Sequence, residues 1–138
     1  MTYRPMRVRV VASHDSRPGE PVVIDGPSPA ERFTTVFEDD GLTGYFYAVD
    51  PDWPADTPIV DALGVYNVDE VPTRLRLVEL GWSDDGWKAM LRLDQHPVAV
   101  YDFAARRGWC RSGFPPRTGT GWSDFGHRWE DEALDLFR

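Results

Sequence analysis

Apolar and polar side chains alternate along much of this chain with a period of two, the signature of strands that bury one face. Met6, Val8 and Val10 alternate with Arg7 and Arg9, and after a polar loop Pro21 to Asp25 offers a second short strand. Phe33, Thr35 and Phe37 then share one face of a run, and Thr43, Tyr45, Tyr47 and Val49 share one face of the next. Between those runs lies Glu38-Asp39-Asp40-Gly41-Leu42, and Trp82-Ser83-Asp84-Asp85-Gly86-Trp87 repeats the design later in the chain. Asp-Gly supplies the positive φ of a tight primed turn, so each motif predicts a β-hairpin whose carboxylates serve the bend.

The pattern changes between and beyond the hairpins. Residues 50–58, with Pro51, Pro54 and Pro58, cannot continue a ladder, because proline lacks the donor. Thr57 can cap a short helix and Pro58 fits its first turn, with Ile59, Ala62, Leu63 and Tyr66 at helical spacing along one stripe. Leu75 and Leu77 are out of phase with Val78, Leu80 and Trp82, which predicts a bulge inside that strand. Lys88 to Leu93, Val98 to Phe103 and the approach to Trp109 and Cys110 read as a meander. Residues 113–126 read as irregular, and Trp129, Ala133, Leu136 and Phe137 place one stripe on a C-terminal helix. The expected fold is a single α+β domain over residues 1–138, mainly antiparallel sheet built from hairpins and a meander, with a short central helix and a C-terminal helix.

Charge adds an asymmetry that the pattern lacks. The net charge is −8, yet residues 15–70 hold thirteen acids against Arg17 and Arg32, while residues 71–138 balance ten acids with ten bases. An anionic surface repels a phosphate backbone, which argues against nucleic-acid binding. No apolar run approaches the ~20 residues that span a bilayer, the opening residues lack a secretory apolar region, and Cys110 is the single cysteine. These features lead us to expect a cytoplasmic protein with no membrane association.

Three groups of side chains are candidates for chemistry. Cys110 sits among Arg106, Arg107, Arg111 and Arg117, a cationic stretch that favours thiolate or, with Trp109 as a stacking face, an anionic ligand. A small buried hydrophobe is the competing role for that cysteine, and neither His14, His96 nor His127 is tied to it by a motif. Trp53 and Trp122 fall in Pro-rich or Gly-rich segments, so with Asp50, Asp52 and Asp56 they are the candidates for a partner contact. Asp39, Asp40, Asp84 and Asp85 are assigned to turn formation rather than to a metal, because adjacent turn aspartates point apart and the spaced-oxygen loop of an EF-hand is absent. No cofactor is expected.

Val36-Phe37-Glu38-Asp39-Asp40-Gly41-x-Thr43-Gly44-Tyr45-Phe46-Tyr47-Ala48 is followed by Asp61-Ala62-Leu63, Tyr66-Asn67-Val68, the second Asp-Asp-Gly motif, Tyr101-Asp102-Phe103, Cys110-Arg111 and Phe114-Pro115-Pro116. Together these resemble a family of small uncharacterised bacterial proteins, a domain of unknown function. The resemblance covers roughly residues 30–117 and implies a bacterial source and a compact domain, with no catalytic residue to carry over. On the residues themselves, the leading expectation is a non-enzymatic acidic domain that binds another macromolecule, as an inhibitor or immunity-type partner would. The alternative is an enzyme or anionic-ligand-binding protein that uses Arg106 to Arg117 with Cys110.

Overall fold

The computed structural model describes residues 4–54, 56–116 and 122–138. Through them run nine strands: β1 (Arg9–Ser16), β2 (Val22–Pro27), β3 (Thr34–Asp39), β4 (Thr43–Val49), β5 (Ile59–Asn67), β6 (Arg76–Trp82), β7 (Lys88–Leu93), β8 (His96–Asp102) and β9 (Arg107–Cys110). They form two antiparallel sheets, ordered β1-β6-β7-β8-β9 and β2-β3-β4-β5. Among the described residues helix is confined to 3₁₀ turns at Val68–Glu70 and Asp131–Phe137. No helix among the described residues is long and apolar enough to cross a membrane.

The two sheets face each other across one core. Phe37 pairs with Phe46 and Phe46 with Leu63, so three apolar side chains form an inward row on the four-stranded sheet. Leu80, paired with Leu91, answers them from the five-stranded sheet. Two polar side-chain atoms bridge the gap: Trp82 Nε1 donates to the Gly26 carbonyl at 2.9 Å, and the Tyr101 hydroxyl donates to the Phe46 carbonyl at 2.5 Å. Each large ring is thereby buried with its polar atom satisfied, and burial of such a side chain contributes about 1.5–3 kcal/mol.

A second apolar cluster covers the outer face of the five-stranded sheet. Met90, Val100 and Trp109 lie in one cross-strand row, against Ala133 and Phe137 of the C-terminal 3₁₀ helix and Met6 and Val8 of the leading segment. Arg7 N–H donates to the Phe137 carbonyl, which ties the two ends of the described chain together.

Both Asp-Asp-Gly hairpins form, but with longer corners than the primed two-residue turn expected. Asp40–Leu42 and Ser83–Trp87 connect the arms, and only the glycines, Gly41 at φ 96° and Gly86 at φ 74°, take positive φ there. The carboxylates do serve the bends: Asp40 Oδ1 accepts the Leu42 and Thr43 N–H groups, and Asp85 Oδ1 accepts the Trp87 N–H and the Ser83 hydroxyl. The positive pair of φ angles occurs instead at Asp94 and Gln95 (51° and 66°), in the two-residue β7–β8 turn.

The central helix expected over residues 57–66 is strand β5. Against β4, Ile59 faces Val49 and Asp61 faces Ala48, while Gly64 faces Tyr45 and Tyr66 faces Gly44; Val60 and Val65 are therefore extra residues at two bulges. Two phase slips turn an alternating strand into spacing that imitates a helical stripe, and β-branched Val60 and Val65 suit the strand. Thr57 Oγ1 does accept the Ile59 N–H, at 3.3 Å, but the chain it starts is extended. The C-terminal stripe is correct in its buried residues, Ala133 and Phe137, yet it winds as seven residues of 3₁₀ helix. Strand β6 runs without the expected bulge, since its register with β7 is continuous; the irregularity lies across from it in β1, between Val10 and Ala12. The first strand also starts later than expected, at Arg9, and takes up most of the segment expected to be loop.

Candidate functional site

The arginines around Cys110 do not converge. Arg106 lies over the Trp53 ring at 4.7 Å, Arg107 over Trp109 at 4.8 Å and Arg111 over Trp129 at 3.9 Å. Arg107 also pairs with Glu130 at 2.9 Å, and Arg111 Nε donates to the Pro97 carbonyl at 3.1 Å. Arg117 lies outside the described residues. Trp109 is buried in the outer cluster, while Cys110, next in the strand, points to the opposite face and is fully buried in the main core. Burial pushes its thiol up, against hydrogen bonds from Ser112 and nearby backbone that act the other way. The thiol is held protonated against the Gly64 carbonyl at 3.7 Å, opposite to the activation that the cationic stretch suggested.

The expected partner loop is also largely engaged. Asp50 is buried and accepts from Arg32 at 3.2 and 3.4 Å, and Asp52 lies 3.6 Å from the same guanidinium. Trp53 is half-buried beneath Arg106, and Asp56 is exposed. Trp122, expected at the surface, is a core residue at 1% exposure, edge-on to Phe103 at 5.1 Å and to Tyr101 at 6.3 Å. Its large apolar area fills the interior, so glycine-rich surroundings did not place it on the outside.

A buried polar network of Asp61, Ser123 and His127 was not legible as a unit. The first bulge of β5 turns Asp61 inward opposite Ala48, and its carboxylate accepts the Ser123 hydroxyl at 2.6 Å and faces His127 Nε2 at 2.8 and 2.9 Å. Ser123 Oγ in turn accepts the Gly108 N–H at 2.7 Å, and His127 Nδ1 meets the Pro115 carbonyl. Both partners of the ring are acceptors, so the imidazole must donate from both nitrogens and is held as imidazolium. Burial lowers its pKa, but the Asp61 bond, the Pro115 carbonyl and the Asp61 charge together outweigh that effect and raise it. This is not a nucleophile relay: Ser123 bonds to the carboxylate rather than to the imidazole, and the Asp61 and His127 side chains have no solvent exposure. The arrangement fixes structure.

The outward face of the four-stranded sheet differs from the rest of the molecule. Its cross-strand rows run Val23, Glu38, Tyr45, Gly64 and Asp25, Val36, Tyr47, Ala62. Tyr45 and Tyr47 stack at 5.7 Å, and the Tyr47 hydroxyl donates to Glu38 at 3.0 Å; burial and then the Glu38 bond push that phenol upward. Phe114 lies across Gly64, where a Cβ would stand 2.9 Å from its ring, so the glycine gives the ring room to extend the first row. Val23 is 61% exposed and Phe114 59% exposed, and no hydrophobic cluster covers this face among the described residues. Strands β2 to β5 contain no Lys or Arg. At the end of the sheet two adjoining clefts, of about 360 and 390 Å³, share Asn67 and Glu70. The first is lined by Tyr45 and Phe114, with the Tyr66 ring turned inward over Gly44 and Phe37; the second runs past Leu42, Val68 and Asp69.

Fold and surface together define a small two-sheet antiparallel protein with a single-sign, aromatic-bearing sheet face. The chain belongs to the DUF2251 family, described as an uncharacterized protein conserved in bacteria, whose family model matches residues 16–138. It is also 45% identical over 87 residues to a Haemophilus influenzae protein named only as an uncharacterized protein, an alignment covering 62% of this chain and 53% of that one. The matched stretch is thus about half the length of that relative. No solved structure matches significantly.

Proposed function

We propose that this protein is a non-enzymatic binding module that docks a basic macromolecular partner on the outward face of its four-stranded sheet, in the manner of an acidic inhibitor or immunity protein. The observation that carries this reading is the row of Val23, Glu38 and Tyr45, extended past Gly64 by the exposed Phe114 ring and only partly covered, on a sheet whose strands contain no cation. Aromatic side chains supply contact area at low entropic cost, and a one-sign field steers an oppositely charged partner to them. We put the contact on this sheet face rather than on the loop at residues 50–58, because Asp50 and Trp53 are already engaged with Arg32 and Arg106. The alternative, an anionic-ligand or enzyme site at Arg106 to Arg117, loses weight because the described guanidinium groups lie on three separate rings and the thiol is buried.

Affinity capture from a bacterial host with the wild-type chain and a Tyr45→Ser/Tyr47→Ser variant tests the proposal. A stoichiometric basic protein should be retained at low ionic strength, released at about 0.5 M salt where charges are screened beyond a few ångströms, and absent from the variant. Recovery of no such protein, or equal recovery by the variant, would overturn it.

A further inference from the structure

We infer that the groove at the end of the four-stranded sheet receives an arginine side chain from a basic segment of the partner protein, with the guanidinium in the aromatic cleft and the segment continuing past Leu42. This inference rests on the proposed binding role and specifies its chemistry. The aromatic cleft presents Tyr45 and Phe114, and at its junction with the second cleft stand Asn67 and Glu70. A guanidinium is the group that uses all of these at once: its plane stacks on aromatic faces, and its N–H fork donates to a carboxylate and an amide oxygen.

Charge and shape sharpen the fit. Among the described residues neither cleft is lined by a Lys, Arg or His, whereas Glu70 borders both and Asp69 borders the second, so the occupant favoured by charge is a cation. The Tyr66 hydroxyl is already committed to Asp39 Oδ2 at 2.6 Å, and burial followed by that bond pushes its pKa upward. Its ring packs inward over Gly44 and Phe37, so its hydroxyl does not compete for the occupant of the cleft. Leu42, 77% exposed, gives the second cleft an apolar rim for the segment that carries the arginine. The two clefts in series are larger than one side chain needs, which fits a short peptide rather than a free ion.

The test is a titration of the isotope-labelled full chain with acetyl-Gly-Arg-Gly-amide and with its citrulline counterpart, followed by side-chain NMR signals. The arginine peptide should shift the Tyr45 and Phe114 ring signals and the Asn67 side-chain amide. Citrulline, equal in shape but uncharged, should bind roughly tenfold more weakly through loss of cation–π and ion-pair attraction. Glu70→Gln should weaken the arginine peptide about threefold, as expected for a partly exposed pair. Silence at those signals, equal binding of citrulline, or an unchanged Glu70→Gln variant would overturn the inference. If a basic partner is still captured through Tyr45 and Tyr47 while the peptide is silent, the groove assignment fails and the sheet-face role stands. If the peptide binds as described but no partner is ever captured, the groove assignment stands and the sheet-face role fails.

Discussion

Replacement of Asp61 tests the buried network directly, and the structure sets the size of the effect. In Asp61→Ala the Ser123 hydroxyl and His127 Nε2 both lose their acceptor in a site without solvent exposure, and the imidazolium loses its counter-charge. Removing one partner of a buried ion pair costs about 3–5 kcal/mol. At this chain length roughly 4 °C accompanies each kcal/mol, so the midpoint of thermal unfolding should fall by about 12–20 °C. Asp61→Asn should cost less, because a neutral His127 can donate to the Pro115 carbonyl from Nδ1 and accept from the asparagine amide at Nε2.

The same pair of variants should separate in their response to pH. The folded-state pKa of His127 is raised, so its contribution is fully present below the unfolded value of about 6.5. As pH rises from there towards the folded-state value, the native state holds a proton that the unfolded state has released, and stability should fall by about 1.4 kcal/mol per pH unit. Urea unfolding from pH 6.5 upward should show stability falling with pH in the wild type, and Asp61→Asn should lose that fall below about pH 8, where the Cys110 thiol does not yet contribute. An Asp61→Ala loss below about 1 kcal/mol, or an identical slope in Asp61→Asn, would refute the imidazolium assignment.

The buried Cys110 thiol, with its raised pKa, should resist Ellman's reagent in the native protein at pH 8 and react on addition of denaturant, and Cys110→Ala should leave partner capture unchanged; rapid native labelling would contradict its position. Gly64→Ala places a Cβ 2.9 Å from the Phe114 ring and should displace that exposed ring, costing about 1–3 kcal/mol of stability and reducing partner capture, with urea unfolding and the capture assay as the readouts.

Local patterns carried the hairpins and the meander well. Asp-Asp-Gly marked both long corners, alternation located β3, β4 and β7, and the Asp94-Gln95-His96-Pro97 turn located β8, whose apolar run is buried on both faces. Strand β5 was misread for a specific reason: bulges at Val60 and Val65 reset its phase twice, and the resulting spacing of Ile59, Ala62, Leu63 and Tyr66 is the one a helix would show. The candidate sites were less legible because their partners are remote in sequence. Nothing within the segment 104–117 indicates that Arg106 will rest on Trp53 or Arg111 on Trp129, and nothing near His127 points to Asp61. The anionic character of residues 15–70 was visible, but the separation of cation-free strands β2 to β5 from arginine-bearing β1 was not, since that depends on β1 crossing to pair with β6.

The Asp61 and His127 contact also constrains the order in which this chain can mature. The carboxylate belongs to a strand translated well before Ser123 and before the imidazole that neutralises it. Until position 127 has left the ribosome, a nascent four-stranded sheet must either keep Asp61 hydrated or shelter an unmatched charge, and the former leaves its interior open to water. Closure of the two layers is thus timed by the arrival of one side chain.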